Sequence, residues 1–200
     1  PAGSTATGVT ISPVQVEQAR SGAERRGLAA RLTFLEADFL ALPPLTPVHL
    51  AYSIEAFVLT SDPSGYFRAV SRVLHPGGRL VIIDDFLLPH PGDYTAQESG
   101  CIAEFRAGWR AAGLDSVAAA RDRAAQEGLR LVEIRDLTAW VRVDTWRDRM
   151  VALSVAIGRL LRLRGPYYDS LTGGDALRKC IAAHLTGYFI LVFEKNNAHD

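Results

Sequence analysis

The sequence predicts an α/β fold with a largely parallel sheet, and three observations carry that prediction. Strand-like and helix-like segments alternate through the first half of the chain. The stretch 79–83 has a wholly apolar interior, Leu80-Val81-Ile82-Ile83, as a parallel strand covered on both faces requires. The dipeptide Ser12-Pro13, directly after a short apolar run, reads as a helix N-cap followed by proline at the first helical position.

Residues 6–11 form the first predicted strand. Gln15 stands three residues after Ser12, so a capping box is expected, and the helix runs to about Arg26 with Gly27 as its C-cap. The next strand is 32–36, with Asp38 just past its end; Pro43, Pro44 and Pro47 mark a loop. A third strand spans 48–54. A helix over 63–74 places Phe67, Val70, Val73 and Leu74 at helical spacing. Pro76-Gly77-Gly78 reads as a turn into strand 79–83. Helices follow at 97–108 and 114–127, then a strand at 130–137 with Leu131, Ile134 and Leu137 as its apolar positions. Helices at 151–163 and 175–185 precede an aromatic-rich strand, 188–193. Residues 138–172 read as an insertion between the last two strands.

A chain of 200 residues suits one domain, 1–200, and 48% hydrophobic content is enough for a sizeable core. The 22 basic and 22 acidic residues cancel, which argues against a nucleic-acid partner. Arg20, Arg25, Arg26 and Arg31 alternate with acids, as on a solvated helix face. Cys101 and Cys180 are far apart in sequence and form neither a disulfide framework nor a zinc pattern. His49, His75, His90, His184 and His199 lack metal-ligand spacing, so no metal is expected. No signal peptide or membrane span is visible, and a reducing cytoplasm is the default setting. A homo-oligomer stays open.

Four segments carry a resemblance. They are Thr10-Ile11-Ser12-Pro13-Val14-Gln15, then Asp38-Phe39, then Tyr52-Ser53-Ile54-Glu55-Ala56, then Arg72-Val73-Leu74-His75-Pro76-Gly77-Gly78. In order and spacing they resemble the class I, Rossmann-like S-adenosylmethionine-dependent methyltransferases. The third segment is close to the Tyr-Ala-Ile-Glu-Ala-Thr pattern of sterol methyltransferases, within the sterol and tocopherol branch. The resemblance implies a mostly parallel sheet with an antiparallel last strand and helices on both faces. It also implies a first strand and a Gly-rich loop of the type Asp-x-Gly-x-Gly, which this chain does not show; the native polypeptide is expected to extend upstream with both.

By resemblance, Thr10, Ser12 and Gln15 lie at the ribose, Ile11 packs against the adenine, and Asp38 and Phe39 bind the adenine edge. Ser53 faces the cofactor, and Glu55 is the catalytic candidate. A carboxylate beside a sulfonium can stabilise a developing cation or take a proton. Many relatives place a histidine shortly after this glutamate. This chain has Val58-Leu59-Thr60, which leaves His90 and Asp84-Asp85 as other candidate bases.

The implied activity is methyl transfer from S-adenosylmethionine to the carbon or oxygen of a small apolar natural-product, isoprenoid or lipid-like acceptor. A lid over 138–172 would be lined by Trp140, Trp146, Met150, Leu153 and Tyr167 among others. The competing expectation is a non-catalytic methyltransferase-like scaffold. A nicotinamide-dependent enzyme is disfavoured, because no Gly-x-Gly-x-x-Gly loop is seen and no acid follows Ile11.

Overall fold

Ser12 both ends the first strand and starts the first helix. The computed structural model describes residues 3–143 and 145–197 and divides into two compact units, Pro1–Pro47 and Val48–Asp200. In the first unit β1 (Ala6–Thr10) pairs in parallel with β2 (Leu32–Glu36), from Ala6 opposite Leu32 to Thr10 opposite Glu36. Between them lies α1 (Pro13–Arg25). Its Ser12 hydroxyl accepts the Gln15 N–H at 3.3 Å, satisfying one of the helix's orphan donors. The expected capping box is only half made. The Gln15 side chain instead turns to Thr10, whose hydroxyl donates to Oε1 at 2.6 Å. At the other end Gly27 takes φ 64° and the Leu28 N–H closes on the Ala23 carbonyl at 2.9 Å.

The second unit runs β3 (Val48–Ile54), α2 (Pro63–Val73), β4 (Leu74–Leu87), α3 (Ala96–Trp109), α4 (Val117–Gln126), β5 (Leu129–Asp136), α5 (Trp146–Leu160), α6 (Pro166–Ala182) and β6 (Thr186–Lys195). The sheet order is β3-β4-β6-β5. β3 and β4 are parallel, and β6 lies antiparallel between β4 and β5. The last strand is therefore the reversed one.

Two expectations about elements are corrected. The segment His75–Gly78 is not a turn preceding the strand but part of β4. Val48 pairs with Leu74 while Leu50 pairs with Arg79, so the extra residues of β4 bulge within the ladder, helped by Gly77 at φ 70°. The helix expected at 175–185 begins at Pro166, because Pro166 at the first helical position nucleates it nine residues earlier.

Side-chain alternation on β4 divides the sheet into two faces. Leu80, Ile82, Asp84 and Phe86 are all buried, and Phe193 and Leu191 lie opposite Leu80 and Ile82 on β6. This face holds an aromatic core. Phe67 of α2 sits edge-on to Phe193 with ring centres 5.4 Å apart, and Phe57 lies 5.3 Å from Phe67 and 5.8 Å from Phe86.

At the end of β4, Leu87 packs against a second cluster built by Ile102 and Phe105 of α3, Ala176 and Cys180 of α6, and Leu185 just after α6. The two helices touch closely. A Cβ on Gly108 would lie 2.5 Å from the Gly173 Cα and from the Asp169 carbonyl oxygen, so only glycine fits.

On β3 the alternate residues Leu50, Tyr52 and Ile54 are exposed, unlike the interior of a fully covered parallel strand.

Phe67 is fully buried at the centre of the aromatic core. Phe67→Ala is expected to lower the unfolding free energy by about 3–5 kcal/mol, read as a shifted midpoint in chemical denaturation.

Candidate active site

The chain must leave the sheet after β3, and it does so through a strained residue. Glu55 has φ 51°, in the left-handed region that non-glycine residues rarely enter. Its N–H still donates to the Ile83 carbonyl at 2.9 Å, extending the β3–β4 ladder by one bond. A 3₁₀ turn, Phe57–Leu59, follows. Asp84 reaches from β4 to hold it: Oδ2 accepts the Val58 N–H at 3.0 Å, and Oδ1 accepts the Asp85 N–H at 3.0 Å. The Val58 carbonyl in turn accepts the Gly113 N–H at 2.8 Å, so the loop beyond α3 is tied to the same residue. Opposite, the Tyr188 hydroxyl of β6 donates to Glu55 Oε1 at 3.2 Å.

Glu55, Val58, Asp84 and Asp85 border a cavity of about 340 Å³. Glu55, Asp84 and Asp85 supply its acidic side, Val58, Leu59 and Trp109 its apolar side, and Arg110 and Ser170 part of its rim. Burial raises the Asp84 carboxyl to about 6, despite the hydrogen bonds from Val58 and Asp85 that oppose the rise. Burial, then the negative charges of Asp84 and Glu55, raise Asp85 to about 7. Burial, then Glu55, push the Tyr188 phenol up to about 12. The pair of aspartates can thus hold a proton near neutrality and offer it as a donor, beside the more exposed Glu55.

The expected site residues fall in both units. In the first, the Thr10 hydroxyl accepts the Ser12 N–H at 3.2 Å in addition to bonding Gln15, so Thr10, Ser12 and Gln15 form one linked cluster at the end of β1. Ile11 beside it is 73% exposed, an apolar side chain standing free at a strand end. Asp38 uses Oδ1 to accept the Leu40 N–H at 2.8 Å and caps the 3₁₀ turn Phe39–Ala41. In the second unit, the structure brings Glu55, Asp84 and Asp85 together. The Ser53 hydroxyl bonds the Tyr66 hydroxyl at 2.8 Å, on the face of β3 that turns toward the aromatic core.

His90 is committed elsewhere: its Nδ1 meets the Gly92 carbonyl at 2.8 Å, Nε2 lies 3.6 Å from Glu98, and it does not line the cavity. His199 lies outside the described residues. Sequence reasoning did not find Tyr188, Trp109 or Arg110. Tyr188 sits in a strand recognisable only by its aromatic content. Arg110 adopts φ 55° as a C-cap where glycine would ordinarily announce the site.

In each unit, then, side chains able to hold a ligand lie at the carboxyl ends of parallel strands, where open α/β sheets bind their ligands. Residues 1–82 match the family described as "Methyltransferase domain". The 27-O-demethylrifamycin SV methyltransferase of Amycolatopsis mediterranei is 33% identical over 122 residues, which cover 54% of this chain and 45% of the relative. A sterol 24-C-methyltransferase of Gibberella zeae is 38% identical over 77 residues, or 38% of this chain and 20% of that protein. The chain thus spans less than half the length of these curated relatives. In fold it is similar to geranyl diphosphate C-methyltransferase from Streptomyces coelicolor A3(2), with a TM-score of 0.69 at 20% identity over 96% of this chain and 64% of the other. The match to the methyltransferase domain family thus covers residues 1–82, and sterol 24-C-methyltransferases are among the proteins the chain resembles. No helix among the described residues is long and apolar enough to cross a membrane.

The raised aspartates have a consequence for stability. Both titrate near 3.8 when unfolded and near 6 and 7 when folded, so the folded chain binds more protons across this interval. Unfolding free energy therefore falls as pH rises from about 4 to about 7. Asp85→Asn is expected to flatten that fall by roughly 1–3 kcal/mol, measured as melting temperature against pH.

Proposed function

We propose that this chain carries out methyl transfer from S-adenosylmethionine to a small, mainly apolar acceptor bound beside Glu55. The observation that carries the reading is the 340 Å³ cavity at the carboxyl ends of β3 and β4, acidic on one side and apolar on the other. The match of residues 1–82 to the methyltransferase domain family, and the similarity to a demethylrifamycin methyltransferase and a sterol 24-C-methyltransferase, support it.

The residues of the first unit fit the cofactor chemically. The Thr10, Ser12 and Gln15 cluster offers hydroxyl and amide groups suited to ribose hydroxyls, without the charge-assisted strength of a carboxylate. Exposed Ile11 offers an apolar face to a purine. Asp38 keeps its second carboxylate oxygen for an exocyclic amine, with Phe39 next to it. Ser53, its hydroxyl engaged by Tyr66, is assigned a backbone role. When bound, S-adenosylmethionine supplies an electrophilic methyl group on a sulfonium.

Glu55 presents a carboxylate whose orientation is set twice, by the Tyr188 hydroxyl and by the ladder bond of its own N–H. There it stabilises positive charge on an alkene acceptor or takes the proton of a hydroxyl acceptor. Trp109, Val58 and Leu59 exclude water and hold apolar surface. The exposed residues Trp146, Met150, Leu153, Ile157 and Leu160 recur at helical spacing along α5 and extend the apolar lining as a lid. The acceptor in this reading is a small molecule, and the setting is the cytoplasm.

Isothermal titration of the full chain with S-adenosylmethionine tests the reading. Micromolar binding is expected, weakened about 10-fold or more by Asp38→Ala. Absence of binding at millimolar concentration would instead identify a non-catalytic scaffold. Glu55→Gln is expected to preserve binding and lower kcat by roughly 10²-fold. Unchanged turnover would remove Glu55 from the chemistry.

A further inference from the structure

The two cysteines, 79 positions apart in sequence, meet in the structure. Their Sγ atoms are 3.1 Å apart, with the Cys180 thiol directed at Cys101 and the Cys101 thiol donating to the Ala176 carbonyl at 3.2 Å. Both are free thiols. Cys101 stands on α3 and Cys180 on α6, the two helices that glycines at 108 and 173 allow to approach so closely. A disulfide has an S–S bond of about 2.05 Å, so the pair must close by only about 1 Å.

Access is one-sided. Cys180 is fully buried in the α3–α6 cluster. Cys101 is half-buried and lines a separate cavity of about 790 Å³, together with Glu98, Glu104 and Lys179.

We propose that Cys101 and Cys180 form a reversible dithiol–disulfide pair, a modification site in which Cys101 takes the attack and Cys180 resolves it. The oxidant class is a low-molecular-weight disulfide that reaches Cys101 through the second cavity. The Cys101 thiolate attacks one sulfur of the oxidant, the oxidant's S–S bond breaks, and one small thiol leaves. Cys180 then attacks the Cys101 sulfur of the mixed disulfide, and the second small thiol leaves. In sum, two protein thiols and one small disulfide give one protein disulfide and two small thiols; the protein loses two electrons and two protons. Burial pushes the Cys180 thiol well up, which agrees with its following rather than leading. The bond would fasten α3 to α6, the helices that carry Trp109 and Ser170 of the first cavity, and it stands apart from the methyl-transfer reading, since it needs neither cofactor nor acceptor.

The experiment treats the full chain with millimolar oxidised glutathione, quenches in acid, unfolds it and alkylates the remaining thiols. The expected product is a monomer that has lost two hydrogens, takes up no alkyl group and yields a peptide linking Cys101 to Cys180. Dithiothreitol restores both thiols. The melting temperature of the oxidised form is expected to rise by about 5 °C or more, because the bond closes a long loop. In the Cys180→Ser variant the reaction stops at one glutathione on Cys101; Cys180→Ala serves if serine in the buried position prevents folding. A stable glutathione adduct on the unaltered chain, a disulfide-linked dimer, or two unreacted thiols would each overturn the proposal.

Discussion

One buried residue, Val58, holds the second unit's site together through its backbone. Its N–H is taken by the Asp84 carboxylate of β4 and its carbonyl by the Gly113 N–H from the loop beyond α3. Both bonds form where water is excluded, and a buried carboxylate left without its donors would cost several kcal/mol. The 3₁₀ turn 57–59 therefore has one position open to it. Glu55 precedes that turn by two residues and must join it to the end of β3, which accounts for its left-handed backbone. Gly113 is fitted to the same clamp: a Cβ there would meet the Phe57 carbonyl oxygen at 2.7 Å.

The clamp also explains why so much negative charge is gathered around one cavity. Asp84 is needed structurally, as the acceptor for backbone donors. Asp85 follows on the other face of β4 and among the described residues receives no hydrogen bond on its carboxylate, so its burial and its neighbour's charge combine to keep it protonated. Glu55 is the carboxylate of the three that solvent still reaches. A cavity of this kind discriminates against an anionic group placed at its acidic side and favours a neutral or cation-forming one.

Much of this was legible in the sequence, for local reasons. The strands 32–36 and 48–54 coincide with β2 and β3, because each is a short apolar run bounded by residues that cannot continue it. The Ser12-Pro13 start of α1 was legible from cap chemistry. What was not legible depends on contacts distant in sequence. Gln15 has the right spacing for a capping box, yet Thr10 offers a competing partner and wins its side chain. The Ser53 hydroxyl bonds that of Tyr66 on α2, a pairing that only the packing of α2 on the sheet creates. The bulge at 75–78 is a property of the β3–β4 register, which no single strand encodes. The meeting of Cys101 with Cys180 depends on how two helices cross.

That crossing couples features that seem unrelated. Gly108 and Gly173 remove side chains where α3 and α6 touch, and the backbones close to a distance no other residue pair would permit. Once they do, Cys101 and Cys180, each lying seven positions from one of these glycines, are carried into contact. The same approach brings the Trp109 indole N–H onto the Ser170 carbonyl at 3.1 Å, which fixes the apolar wall of the first cavity. A larger residue at position 108 would have to separate the helices, and the wall and the thiol pair would shift together. The geometry of the cavity and the proximity of the thiols are therefore two consequences of one packing contact, and any force that tightens or loosens α3 against α6 is felt at Trp109.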